Sequence, residues 1–184
     1  MIDIEDLYSL IFTFISSILF SFVTSWKNEK DSGFLIKTGT YFLLNLLLGA
    51  LFYFLILAYP TISEYLLLAY DFLIVLLSTF YIKASYFISF EGAFFNGTIL
   101  FLGLTFSRLP STMVRLAIQL GGQTIPYYIY WFVDLFLLAL VLTMVYFVFT
   151  KQYGGNQEEY TTKNNTIFFF LTLVVTTLLK AMQY

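Results

Sequence analysis

The chain has no cysteine and no histidine among its 184 residues, and only 11% of those residues are charged. The absence of cysteine excludes disulfides, thiolate metal sites and cysteine nucleophiles. The absence of histidine removes the most common general base and metal ligand. No basic tract is present that would bind nucleic acid. We therefore expect no metal, no cofactor and no nucleic-acid partner.

What the chain does contain is apolar: 60% of its residues are hydrophobic, 22% are aromatic, and the mean hydropathy is +0.85. Soluble domains carry roughly 25% charged residues, so this chain has too few polar side chains to cover a water-soluble core. The composition predicts an all-α integral membrane protein, with residues 1–184 forming one multi-pass domain in the lipid bilayer of a cell membrane. The start of the chain is not a cleavable signal peptide, because Asp3, Glu5 and Asp6 stand where basic residues are needed.

Apolar runs of about 20 residues, the length needed to cross a bilayer, predict six transmembrane helices. They cover residues 7–26, 38–59, 65–82, 84–106, 127–150 and 166–183. Residues 110–122 begin with a proline and end with two glycines. As a helix this segment would be only about 20 Å long, shorter than the apolar core of about 30 Å. We expect a separate interfacial or re-entrant helix there.

The orientation follows from lysines, which are retained in short cytoplasmic loops. Lysines fall in alternate predicted loops, at positions 27, 30, 37, 83, 151 and 163. This alternation predicts an extracellular N-terminus, although Arg108 and Arg115 fall on the outer side. Six crossings would also place the C-terminus outside, and it would lie inside if the short helix crosses.

Ionisable residues within membrane spans are costly and are functional candidates by default. In the predicted topology Asp71, Arg108, Arg115 and Asp134 share the outer half of the membrane, which makes Arg108–Asp71 and Arg115–Asp134 ion pairs geometrically feasible. One interpretation is that such pairs only neutralise charges between packed helices. The other is a ligand-binding pocket of mixed charge, with Trp131 in its wall.

Other polar residues have structural interpretations. Glu91 is near the inner side and is expected to reach the lipid headgroups. Asn45, Asn96, Thr98 and Gln119 are expected to form hydrogen bonds between helices.

No catalytic arrangement is present, so the 184 residues are not expected to form an enzyme. The sequence contains no metal-protease motif, nucleophile elbow or phosphate-binding glycine loop. Intramembrane proteolysis by Asp71 and Asp134 is disfavoured because neither has a glycine-rich neighbourhood.

Residues 89–120 (SFEGAFFNGTILFLGLTFSRLPSTMVRLAIQL), followed by an aromatic-rich span, a polar loop and another Phe/Leu-rich span, carry a family resemblance. The chain resembles the membrane sensor region of peptide-pheromone receptor histidine kinases of Gram-positive bacteria, the quorum-sensing class with GHKL-type ATPase domains. The resemblance implies a sensor or receptor that binds an extracellular peptide or small ligand, relays the signal inward and forms a homodimer. The phosphoacceptor histidine and the ATP-binding boxes of that family have no counterpart here, so a kinase would require a longer chain with a further helix.

A membrane transport protein, such as the substrate-binding subunit of a small-solute importer, is the main alternative. Such subunits have about this length, but this chain has bulky Phe and Leu instead of their Ala/Gly docking motifs. Bacteriocin immunity proteins and membrane assembly factors are further alternatives.

Overall fold

The computed structural model describes residues 4–25, 28–120 and 126–147, with only the backbone described at positions 109–112, 114–117, 119, 120 and 127. These residues are almost entirely helical and form no strand within the described ranges. The five α-helices are α1 (Ile4–Ser25), α2 (Phe34–Ala58), α3 (Ser63–Ser85), α4 (Phe90–Leu120) and α5 (Tyr127–Phe147). A short 3-10 helix, Pro60–Ile62, joins α2 to α3. The predicted span at 166–183 lies outside the described residues.

Four helices in the described ranges are long and apolar enough to cross a membrane: α1, α2, α3 extended by the 3-10 turn, and α5. This agrees with a helical membrane protein, while the predicted count of six spans is not confirmed. These four lie close to the predicted spans 7–26, 38–59, 65–82 and 127–150. The agreement is good because each is a mostly apolar run of about the length of a bilayer crossing, flanked by polar or turn residues.

The interpretation of residues 84–122 is wrong in two respects. The fourth helix begins at Phe90 rather than at residue 84, because residues 86–89 form a connection. The separate short helix at 110–122 does not exist either, since α4 continues from Phe90 through Pro110 to Leu120 without interruption. With 31 residues the helix is about 46 Å long. A proline removes one helical hydrogen bond, and packed membrane helices tolerate that loss because neighbouring groups compensate for it.

The bundle is apolar outside, and its interior combines three hydrophobic clusters with many polar side chains. Large apolar side chains cover its surface, among them Leu35 at 82% exposed and Phe132 at 74%. Hydroxyl and amide side chains are buried between the helices: Thr13, Ser16, Ser17, Ser21, Asn45, Ser78, Thr79, Asn96, Thr98, Thr105 and Ser107. Asn45 accepts the predicted hydrogen bond from another helix, at 3.4 Å from Ser17 Oγ, whereas Thr98 donates to the Phe94 carbonyl of its own helix. The side chain of Gln119 lies outside the described set. Such a distribution suits a lipid surround, where polar groups pair between helices.

Helix α1 is the central element, because it packs against α2, α3, α4 and α5. Its buried face is lined by small hydroxyl residues, which let the neighbouring backbones approach closely. Close approach is clearest at two glycines of α4. A Cβ atom at Gly97 would overlap Thr79 of α3, and one at Gly103 would overlap the ring of Phe20 of α1.

The connection between α1 and α2 and the connection between α3 and α4 lie at the same end of the bundle. An isolated antiparallel bridge pairs Lys30 with Tyr86, and the Phe87 amide donates to the Glu29 carbonyl at 3.0 Å. Lys37 forms an ion pair with Asp31 and donates to the Ala84 carbonyl. The hydrogen bond from Lys37 holds the pKa of the Asp31 carboxyl below its ordinary value. We call this the lysine end; the first turns of α1 and α3, with acidic residues, form the opposite end.

Candidate functional site

The first part of the site is a buried cluster of one acid, one base and one hydroxyl from three helices. Asp71 of α3 is 1% exposed, and its Oδ1 accepts a hydrogen bond of 2.6 Å from the Thr13 hydroxyl of α1. Arg108 of α4 donates to Thr13 Oγ1 at 2.9 Å. Its second terminal nitrogen lies 3.7 Å from Asp71 Oδ2. The threonine hydroxyl therefore relays hydrogen bonding from the guanidinium to the carboxylate, and the three groups neutralise one another within the bundle.

Arg108 also holds α1 directly. It donates to the backbone carbonyl of Ser9 at 2.7 Å, and its guanidinium lies over the ring of Phe12, 4.7 Å from the ring centre. Carbonyl oxygens retain a second lone pair after helix formation, so Arg108 uses the Ser9 carbonyl without breaking α1. The cation–π contact adds a favourable term that grows when water is excluded. One arginine thus links α4 to two turns of α1 and to α3.

The second part of the site lies beside the first and joins α1 to α5. The Tyr8 hydroxyl of α1 donates to Asp134 Oδ2 at 3.1 Å. The Tyr8 ring stacks on Trp131, with ring centres 4.9 Å apart and planes inclined by 7°, and its other neighbour is Phe12 at 5.7 Å. Asp134 is 5% exposed. The carboxylate is therefore buried and held by a tyrosine whose ring lies among other aromatic rings, and the contacts of Tyr8 and Arg108 with Phe12 make the two parts one continuous cluster.

A second polar layer lies closer to the lysine end. The Tyr41 hydroxyl of α2 is 2.7 Å from Ser78 Oγ of α3 and 3.2 Å from Ser21 Oγ of α1. The ring of Tyr41 stacks on Tyr81, with centres 4.1 Å apart. Ser17 Oγ lies 3.4 Å from Asn45 Oδ1. These groups carry no charge, so the layer fixes the relative positions of helices and offers little for binding an ion.

The structure places most of the predicted site residues together. Asp71 and Arg108 form the feasible ion pair, and Asp134 and Trp131 lie on the adjoining part of the cluster. The backbone of Arg115 is in α4, but its side chain is outside the described set, so its predicted pair with Asp134 is not described. Glu91 is exposed in the first turn of α4, where it can reach the headgroup region.

Two residues of the site escaped the sequence interpretation. Thr13 and Tyr8 are neutral, and the energetic cost of placing a neutral residue in a membrane span is too small to mark it as a functional candidate. A signal was nevertheless present for Thr13, which lies on the same side of α1 as the serines, and that polar side had to face the charged residues of other helices. Tyr8 lies about 140° around the helix from Thr13 and gave no such signal. A search for the most polar face of each span would have found Thr13.

The described residues contain no group of three or more acidic, histidine or cysteine side chains placed to hold a metal ion. The cluster consists of two carboxylates, one guanidinium and aromatic rings, a set that can bind charged or hydrogen-bonding ligands. Comparison with protein families, with curated proteins and with solved structures finds no match for this chain.

Proposed function

We propose that the protein is a multi-pass sensor or receptor of the cell membrane, with its N-terminus outside. In this proposal the cluster around Asp71, Arg108 and Asp134 binds an extracellular peptide or small ligand. Ligand binding there changes the packing of α1, which carries the signal to the lysine end on the inner side. The supporting observation is that ionisable residues from three helices surround α1, which packs against each of the other four α-helices in the described ranges.

The position of the cluster supports ligand access from the end opposite the lysines. Thr13 is nine residues along α1 from Ile4, and Asp134 is seven residues along α5 from Tyr127. At 1.5 Å per residue both lie roughly 10–14 Å from the beginning of their helices, a depth that a short apolar peptide can reach. A ligand amine has a carboxylate to bind at Asp134, and the rings of Tyr8 and Trp131 offer additional stacking or cation–π contacts.

Trp131 provides a direct assay of binding. The chain has two tryptophans, so Trp26→Phe leaves Trp131 as the only indole. This variant in lipid nanodiscs would be titrated with short apolar peptides that carry a free amine, and with the same peptides after N-acetylation. We expect a saturable change in Trp131 fluorescence with the free-amine peptides only.

Asp134→Asn is the matched test of the carboxylate, because it keeps the size of the side chain and an acceptor for Tyr8. We expect this variant to remain folded and to lose the fluorescence response. Equal responses of the free-amine and acetylated peptides, or an unchanged response of Asp134→Asn, would contradict the proposed binding site.

Transport is the second candidate, because charged residues inside membrane bundles also mark solute pathways. Proteoliposomes containing the protein and a fluorescent form of the same peptide separate the two. Binding without accumulation inside the vesicles supports a receptor, whereas accumulation above protein-free vesicles supports transport.

A further inference from the structure

Helix α1 carries a hydroxyl residue at every fourth position along its length. The ladder comprises Ser9, Thr13, Ser17, Ser21 and Ser25. Residues four apart lie nearly above one another on a helix, so the five form one slowly turning stripe. A stripe of this kind presents almost the same polar surface when the helix moves along its axis by one turn.

Each of the first four members has a polar contact on a neighbouring helix. The Ser9 carbonyl and the Thr13 hydroxyl accept from Arg108, as described above. Ser17 lies beside Asn45, and Ser21 beside Tyr41. The fifth member differs: Ser25 is fully buried, and its hydroxyl has no hydrogen-bond partner within the described residues.

We propose that α1 has a second stable register, one helical turn displaced toward the acidic end, and that this displacement is the signal-relaying movement. The signalling role of this movement rests on the proposed function, whereas the existence of the second register can be tested without it. A displacement of four residues moves α1 by about 6 Å with a rotation of about 40°. Ser25 then meets Tyr41, Ser21 meets Asn45, and Ser17 meets Arg108 and Asp71. One-turn movements of this kind are a known mode of switching between packed elements.

The direction follows from the residues at the two ends of α1. Movement toward the acidic end brings the buried Ser25 hydroxyl to a partner. Movement the other way would carry Glu5 and Asp6 a turn deeper into the apolar layer, which is costly for carboxylates. Only the first direction gives the Ser25 hydroxyl a partner while the rest of the ladder stays matched; it does so at the cost of moving Glu29 toward the buried position of Ser25.

Two contacts favour the register seen in the structure. The Phe20 ring sits against Gly103, where no side chain fills the space. In the displaced register the ring would face Ser107, one turn further along α4, which is also small and fully buried. The Tyr8 hydroxyl holds Asp134, and the residue four positions later is Phe12, which has no hydroxyl. A ligand amine that replaces Tyr8 at Asp134 therefore removes a contact present in one register only.

Disulfide formation reads the register directly, because the natural chain has no cysteine and a disulfide requires Cβ atoms within about 4.5 Å. Cysteine at Asn45 would be combined with cysteine at Thr13, Ser17, Ser21 or Ser25 in lipid nanodiscs without ligand. The Ser17 pair reports the register of the structure and the Ser21 pair the displaced one. The Thr13 pair would form after movement toward the lysine end, and the Ser25 pair only after movement by two turns toward the acidic end. These two pairs therefore give the background level of cross-linking.

Tyr8→Phe is the variant that should shift the balance, with Tyr128→Phe, at an exposed tyrosine, as its control. We expect Tyr8→Phe to raise the ratio of Ser21 to Ser17 cross-linking by about threefold to tenfold. Hydrogen bonds between membrane helices are worth about 0.6–1.4 kcal/mol, which converts to this range. Ser25→Ala should lower the ratio, because it removes the partner that Tyr41 gains only after displacement.

Phe20→Ala, with the exposed Leu19→Ala as control, provides a second test of the same equilibrium and should also raise the ratio. A Ser21 pair that stays at the level of the Ser25 pair in every background overturns the second register. A Thr13 pair that exceeds the Ser21 pair overturns the direction. Because no ligand is added, peptide binding at Asp134 can stand when the register shift fails, and the reverse also holds.

Discussion

Removing the charges of Asp71 and Arg108 singly and together tests whether they stabilise the bundle as a pair. At the N–O separation of 3.7 Å and an effective dielectric constant of about 20, their attraction is about 4.5 kcal/mol. Either charge left alone in the bundle loses this attraction and keeps its desolvation cost. We therefore expect Asp71→Leu and Arg108→Met each to lower the free energy of unfolding by about 3–5 kcal/mol.

The double variant should lose much less than the sum of the two single variants. Buried ion pairs replaced by apolar residues of similar volume are often neutral, so we expect a coupling energy of at least about 4 kcal/mol, the size of the attraction between the two charges. Equilibrium unfolding with SDS in mixed micelles measures all four proteins, and the exposed Glu91→Gln controls for a change of net charge. Additivity of the single changes to within about 0.5 kcal/mol would refute the pairing.

Thr13 refines the same test, because its hydroxyl connects the two charges. Thr13→Val keeps the shape and removes the hydrogen bonds to Asp71 and from Arg108, so we expect a loss of about 1–3 kcal/mol. Thr13→Ser retains the hydroxyl and should lose much less. Equal losses for the two variants would mean that the methyl group rather than the hydroxyl matters.

Two further predictions concern helix packing and topology. Gly97→Ala should destabilise the protein by about 1–3 kcal/mol, because the added methyl overlaps Thr79, whereas Gly39→Ala should not, because no atom lies near the Cβ position there. Unfolding of the two variants with SDS measures the difference, and equal stabilities would contradict the close contact at Gly97. Single cysteines at Asn28 and Glu64 should label from opposite sides of the membrane, with the impermeant reagent reaching only position 64 from outside, and labelling at 28 from outside would contradict the proposed orientation.

The sequence was sufficient for the elements that depend on composition alone. Runs of apolar residues located α1, α2, α3 and α5 because a bilayer imposes one length on every crossing. It failed at Pro110, where a local rule about helix breaking was applied to a helix that continues through the proline. It also missed the connection at residues 86–89, since the bridge from Tyr86 to Lys30 is a long-range contact.

For the candidate site, the cost of burying charge identified Asp71, Arg108 and Asp134, because that cost is independent of the fold. The pairing of these charged residues could be predicted from the sequence only in part. Depth in the membrane placed Asp71 and Arg108 at a similar level, but which helices are neighbours is decided by packing between surfaces. The neutral partners Thr13 and Tyr8 belong to α1, and nothing in the local sequence indicates that α1 is central.

The central position of α1 explains why its hydroxyl residues and the charged cluster belong to one system. Three charges distributed over α3, α4 and α5 can act on a common element only if one helix contacts all three, and α1 does so at Thr13 and Tyr8. An apolar α1 would pack equally well in lipid, where no hydrophobic force separates interior from exterior. The hydroxyl groups therefore select the interior face and fix its register, and they do so with hydrogen bonds weak enough to be exchanged for equivalent ones. The proposed receptor function requires that combination, because a helix held only by large interlocking side chains would have one register and no second state for a ligand to stabilise.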